Sequence, residues 1–234
     1  MFGAVRAIVL LGSAGRGDAT KWSDLDVERW VEKESDRRDD VVSLLDDRLL
    51  IIHTRIVAEV RAELSSPERA IWAVPAYRNM RVVHDPHGDA ASVGEDAREF
   101  DWEDLRDSAV GVTRLNLAKS AEFVFKLRAA SEQRDESSAL HATVALAGRC
   151  ARAVAVARGL LVSTENEYYA KVWNAAGSTW QREHRDALGH TAGGAFAQAL
   201  AACRLYVETL RVLDDVLDDD TRRIASSAIA IMPR

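Results

Sequence analysis

The sequence predicts an α+β fold, with a small mixed β-sheet domain over residues 1–90 and an up-and-down helical bundle over residues 91–234. Short apolar and β-branched runs alternate with polar segments through the first ninety residues. Those runs then stop, and long stretches with apolar residues three and four positions apart replace them. No internal repeat or low-complexity linker interrupts the 234 residues, a length that suits one large domain or two small ones.

In chain order, residues 4–11 read as a buried strand and 25–31 as a second. A helix is expected over 35–46. Residues 48–54 (Arg-Leu-Leu-Ile-Ile-His-Thr) form a third strand, 58–64 a short helix and 78–84 a fourth strand. Asp85-Pro86-His87-Gly88 is a turn, because Pro and Gly together break any regular element. Beyond it, 100–130 reads as a long helix carrying Val110, Leu117, Ala121 and Val124 on one side. An Ala-rich helix follows over 137–158 and ends at Gly159, a natural cap. Shorter helices are expected over 165–174 and 178–188, and a third long one over 195–215.

Composition narrows the function. The hydrophobic fraction is 47%, ample for a core, and the net charge is −6. With a pI near 5.6 the chain lacks the basic face that broad nucleic-acid binding requires. Cys150 and Cys203 sit in Ala-rich helical stretches and read as buried free thiols, with no metal-binding spacing. The apolar run ending at Leu11 is too short to span a membrane and has neither basic flank nor cleavage site. A cytoplasmic protein without a membrane partner is the expectation.

The chemistry lies in the first thirty residues. Gly12-Ser13 ends a buried strand and opens a short turn, where backbone N–H groups and a hydroxyl can approach a phosphate. Asp24 and Asp26 follow at i and i+2, so on a strand their carboxylates project side by side. Paired carboxylates repel unless a cation relieves them, and Mg²⁺ binds through one or two carboxylates plus substrate phosphates. Strand, Gly-Ser turn and Asp-x-Asp strand together point to nucleotide chemistry.

The run Gly12-Ser13-Ala14-Gly15-Arg16-Gly17, then Trp22-Ser23-Asp24-Leu25-Asp26-Val27, resembles the signature of the DNA polymerase β-like nucleotidyltransferase superfamily. Within it, the chain is similar to the kanamycin/aminoglycoside nucleotidyltransferases. The resemblance implies Mg²⁺ as cofactor, NTP (ATP favoured) as co-substrate, and transfer of a nucleoside monophosphate with release of pyrophosphate. Carried over by position, Gly12 and Ser13 hold the triphosphate and Asp24 and Asp26 the metal. Arg16 either touches phosphate or braces the loop.

Relatives that are polymerases place a third carboxylate on a later strand; here residues 48–54 carry none, and His53 reads as a core or edge histidine. Kanamycin-type relatives use a Glu of the helical domain as general base, with a Lys four residues on. Glu122 and Lys126 match that spacing on the helix over 100–130, in competition with an ordinary surface ion pair. The expected acceptor is a small-molecule hydroxyl, aminoglycoside-like in the leading reading. An antitoxin-like action on a protein partner and a catalytically silent nucleotide-binding regulator are the alternatives.

Relatives usually carry a helix before the first strand, whereas this sequence starts almost on it; one sheet face is then expected to be uncovered and a homodimer to cover it. Trp22 is expected to pack on the sheet edge, and Trp72, Trp173 and Trp180 to pack in the core or bundle, with the lining of a substrate cleft as the alternative. Arg185 and His190 resemble the Arg-polar-x-x-x-His motif of HEPN ribonucleases, although Gly189 interrupts the helix that motif requires.

Overall fold

In the computed structural model, which describes residues 5–191 and 193–233, strand β1 spans Val5–Leu10. Ala4, the expected first residue of that strand, lies outside the described residues. Strand β2 (Leu25–Val31) runs antiparallel to β1, with Leu10 opposite Val27. Strands β3 (Val41–Leu45) and β4 (Arg48–Ile56) form a hairpin, and β4 lies parallel to β2 with Asp26 opposite Ile51. Strand β5 (Arg81–His84) closes the other edge against β1. The order β3-β4-β2-β1-β5 makes a five-stranded mixed sheet.

The expected helix over 35–46 is instead a 3₁₀ turn at Glu34–Asp36 followed by β3. The β-branched pair Val41-Val42 favours a strand. The turn decides the pairing: Asp46 and Asp47 have φ of 50° and 60°, the left-handed conformation a two-residue hairpin needs at both central positions. Asp tolerates that conformation better than most residues. The strand expected from 78 begins at Arg81, because Arg78 ends a helix and donates to the carbonyls of Ala97 and Phe100.

The helix α1 (Gly12–Arg16) caps the end of β1. Three more helices, α2 (Val57–Leu64), α3 (Pro67–Arg78) and α4 (Asp89–Glu99), cover one face of the sheet. Their Val60, Val74, Tyr77, Ala90 and Val93 close over Ala7, Val9 and Trp30. Full burial of the Trp30 ring removes an area worth roughly 4–6 kcal/mol before ordering costs. Because strand side chains alternate, Asp26 and Glu28 share the face of Trp30. The core stops below Asp26, which is only partly buried.

The chain divides into two compact units. The first runs to Leu105 and takes back Leu161–Glu165; the second holds Arg106–Leu160 and the chain from Asn166. The composition change near residue 90 precedes this boundary because α4, although helical, belongs to the sheet's core through Ala90, Val93 and Ala97.

The second unit contains α5 (Arg106–Gln133), α6 (Glu136–Ala157), α8 (Ser178–Ala187), α9 (Ala195–Val212), α10 (Asp219–Ala230) and, from Asn166 on, α7 (Glu165–Ala176), whose first residue belongs to the first unit. Asp135 and Asp218 cap α6 and α10 by accepting from the N–H groups of Ser138 and Thr221. By length and composition alone, α6 is apolar enough to cross a membrane. Its Leu146, Ala147, Cys150 and Val154 are fully buried core residues. Trp180 is fully buried too, its indole donating to Thr209 Oγ1 at 2.8 Å. Tyr206 is likewise buried and donates to the Leu117 carbonyl at 3.0 Å.

Candidate active site

Leu11 leaves β1 and cannot cap α1 with its side chain. The first N–H groups of α1 therefore have no helical partner. The Ser13 hydroxyl has no hydrogen-bond partner among the described residues. Gly12 adopts φ +56°, and a Cβ built on it would lie 2.7 Å from Asp26 Oδ2. A Cβ on Gly15 would lie 2.6 Å from the Leu10 carbonyl oxygen. Both glycines are thus required for the turn to close on the strand ends, and the Gly-Ser turn and the acidic pair form one site.

Asp24 stands one residue before β2 and Asp26 within it. Burial pushes the Asp26 carboxyl above its usual range, and the neighbouring Asp24 and Glu165 charges push it further. His53, on the same face of β4, acts in the opposite sense. A half-buried carboxylate raised by a second one is a donor set that suits Mg²⁺. Among the described residues no three His, Cys, Asp or Glu side chains converge as a metal cluster, so substrate phosphates and water would complete the shell.

Glu28, two residues beyond Asp26, is buried and supports the strand from below. Trp30 Nε1 donates to its Oε2 at 2.8 Å, and Arg55 Nη1 to its Oε1 at 3.3 Å. Arg55 also holds Glu63 at 2.7 Å, and the Tyr77 hydroxyl donates to Glu63 at 3.1 Å. Burial raises the Glu28 carboxyl, while the Trp30 and Arg55 contacts draw it back. His53 is exposed on β4, its Nδ1 2.7 Å from Asp40 Oδ2.

Arg16 braces the turn. Its Nη1 donates to the Ser163 carbonyl at 2.8 Å, and its Nε pairs with Asp18 at 3.2 Å. The Val162 N–H donates to the Ile71 carbonyl at 2.7 Å, so Leu161–Glu165 is fastened to the first unit at two points. That segment delivers Glu165, which acts electrostatically on Asp26. Glu165 carries no local signal in the sequence, because only the docking of a distant segment lets its charge act on Asp26. Glu122 and Lys126 lie in the second unit on α5. Their ion pair measures 2.6 Å at the i,i+4 spacing of an exposed helical pair, and Lys126 holds the Glu122 carboxyl below its usual range.

No family model matches the chain, and no curated protein matches its sequence. Among solved structures the chain is similar to the crystal structure of a nucleotidyltransferase-like protein from Exiguobacterium sibiricum 255-15. The identity is 11%, the TM-score 0.55, and the match covers 97% of this chain and 73% of that one.

The fold is nucleotidyltransferase-like. The likeness spans both the sheet unit and the helical bundle, in agreement with the α+β reading. At this identity it reaches the nucleotidyltransferase fold and stops there; it carries nothing about the aminoglycoside branch.

Proposed function

We propose that the protein is a nucleotidyltransferase that moves a nucleoside monophosphate from an NTP, ATP favoured, to a hydroxyl of a small molecule. One observation supports this reading: the Gly12 backbone lies against the Asp26 carboxylate, so that a Gly-Ser turn of the kind that suits phosphate stands beside a carboxylate pair.

In this reading the N–H groups at Gly12 and Ser13, with the Ser13 hydroxyl, hold the triphosphate. Asp24 and Asp26 hold Mg²⁺, whose chemistry is to neutralise charge on the phosphates. Arg16 keeps the turn and Glu165 in place. Glu165 accepts the proton as the acceptor hydroxyl oxygen bonds to the α-phosphorus. The bond from that phosphorus to the bridging oxygen breaks, and pyrophosphate leaves with the electron pair. Glu165 takes the base role in this reading because it belongs to the same unit as Asp26 and its charge acts on that carboxylate.

Calorimetric titration of Mg–ATP and Mg–GTP tests the donor site. Metal-dependent binding by the wild type that vanishes in Asp24→Asn/Asp26→Asn is the expected result. Absence of binding by the wild type, or binding that survives the double substitution, would overturn the proposal.

A further inference from the structure

Trp22 is 86% exposed, not packed on the sheet edge as the sequence led one to expect. The exposure is built in. Thr20 N–H donates to Ser23 Oγ at 2.9 Å, Ser23 N–H to the Thr20 carbonyl at 3.1 Å, and Trp22 N–H to Thr20 Oγ1 at 3.2 Å. Arg48 Nε donates to the Ser23 carbonyl at 3.2 Å and ties this turn to β4. The backbone of the turn is thus fixed, and the exposed Trp22 ring and Asp24 border one cleft.

It borders a cleft of about 260 Å³ that is also lined by Lys21, Asp24, Asp47, Arg48 and Leu49. Two features there have no use in the fold. The Trp22 ring leaves its apolar area in water, with only the Lys21 ammonium over it, 4.8 Å from the ring centre. Arg48 Nη2 is buried and has no hydrogen-bond partner among the described residues. A buried guanidinium nitrogen without an acceptor is costly, and a ligand oxygen would relieve it.

Position assigns the cleft to one substrate. The Gly12-Ser13 turn follows β1, on one side of the acidic strand; Arg48 and Leu49 begin β4, on the other. In-line displacement brings the attacking oxygen to phosphorus opposite the departing one. With the phosphates on the β1 side, the acceptor enters from the β4 side. Charge narrows its chemistry. Lys21 and Arg48 face Asp47 and Asp24, and Asp24 is committed to the metal, so a polycation is disfavoured.

We propose that the cleft between Trp22 and Arg48 is the acceptor subsite, and that it takes a planar aromatic ring of neutral or negative charge. The ring stacks on Trp22, and an oxygen on it accepts from Arg48. This assignment rests on the proposed nucleotidyl transfer, and the two are tested separately.

The probes are 4-hydroxyphenylacetate and kanamycin, titrated calorimetrically without nucleotide into the wild type, Trp22→Ala and Arg48→Gln. Both substitutions are expected to weaken 4-hydroxyphenylacetate binding at least about fivefold, the lower end of what aromatic stacking supplies. Mg–ATP affinity of Trp22→Ala should stay within about twofold of wild type, and kanamycin should not bind. The proposal is overturned if the wild type fails to bind 4-hydroxyphenylacetate or if Trp22→Ala binds it equally well. Kanamycin binding that depends on Trp22 would also overturn it. So would a loss of Mg–ATP affinity in Trp22→Ala, which would place the donor's own base on the ring. Failure of Mg–ATP to bind the wild type would instead overturn the transferase reading, because the ring titration contains no nucleotide.

Discussion

The backbone of Gly12 rests against the side chain of Asp26, so closely that one added methyl would lie 2.7 Å from Oδ2. Two segments that the sequence separates by a whole loop are thereby one surface. The contact is also a test of the site.

Gly12→Ala should abolish Mg-dependent ATP binding. The left-handed backbone at Gly12 costs an alanine about 1–2 kcal/mol, and the methyl must displace the Asp26 carboxylate as well. The protein should remain folded, with thermal unfolding lowered by several degrees. Unchanged ATP affinity by calorimetry would show that the turn and the acidic pair do not act together.

Glu165→Gln should lower turnover by about 10²–10⁴-fold, the range a positioned general base supplies, while Mg–ATP affinity stays within about threefold. Glu122→Gln should leave turnover within about twofold. Steady-state release of pyrophosphate reads both variants. The opposite ranking would return the base role to the helical pair Glu122 and Lys126.

Glu28→Ala should destabilise the first unit by about 3 kcal/mol or more, because it strips a buried carboxylate from Arg55 and Trp30. Glu28→Gln retains an acceptor for the Trp30 indole and should cost markedly less. Urea unfolding followed by tryptophan fluorescence distinguishes them. Equal stabilities would mean that this network does not hold the strand.

His184 predicts a pH dependence. It is fully buried, and burial, reinforced by His190, brings its pKa down to about 4. Trp173 Nε1 donates to Nδ1 at 3.2 Å, which puts the neutral ring's proton on Nε2. The folded state thus stays unprotonated where the unfolded chain already binds a proton, so unfolding is favoured as pH falls. Stability is fully present above the unfolded pKa of about 6.5 and declines by about 3 kcal/mol toward pH 4. Urea midpoints between pH 7 and 4 should fall more steeply for the wild type than for His184→Gln. Parallel slopes would contradict the assignment.

The strand at 48–54 was legible in the sequence from its apolar run Leu49-Leu50-Ile51-Ile52, and the strand at 25–31 from Leu25, Val27, Trp30 and Val31 interleaved with charged residues. The long helices were legible from their three- and four-residue spacing. The sequence reads as helix where β3 lies, although Val41-Val42 favours a strand, because the Asp46-Asp47 turn that sets its pairing resembles any acidic loop.

The site divides in the same way. By itself the sequence marked Gly12, Ser13, Asp24 and Asp26 as candidates, because alternation on a strand and the freedom of glycine are local properties that a short motif records. Only the tertiary structure decided that Gly12 abuts Asp26, that Arg16 braces Ser163, and that the charge of Glu165, far along the chain, acts on Asp26. Those relations depend on which distant segments dock together. Docking follows from the summed packing of whole helices and strands, which no local pattern encodes.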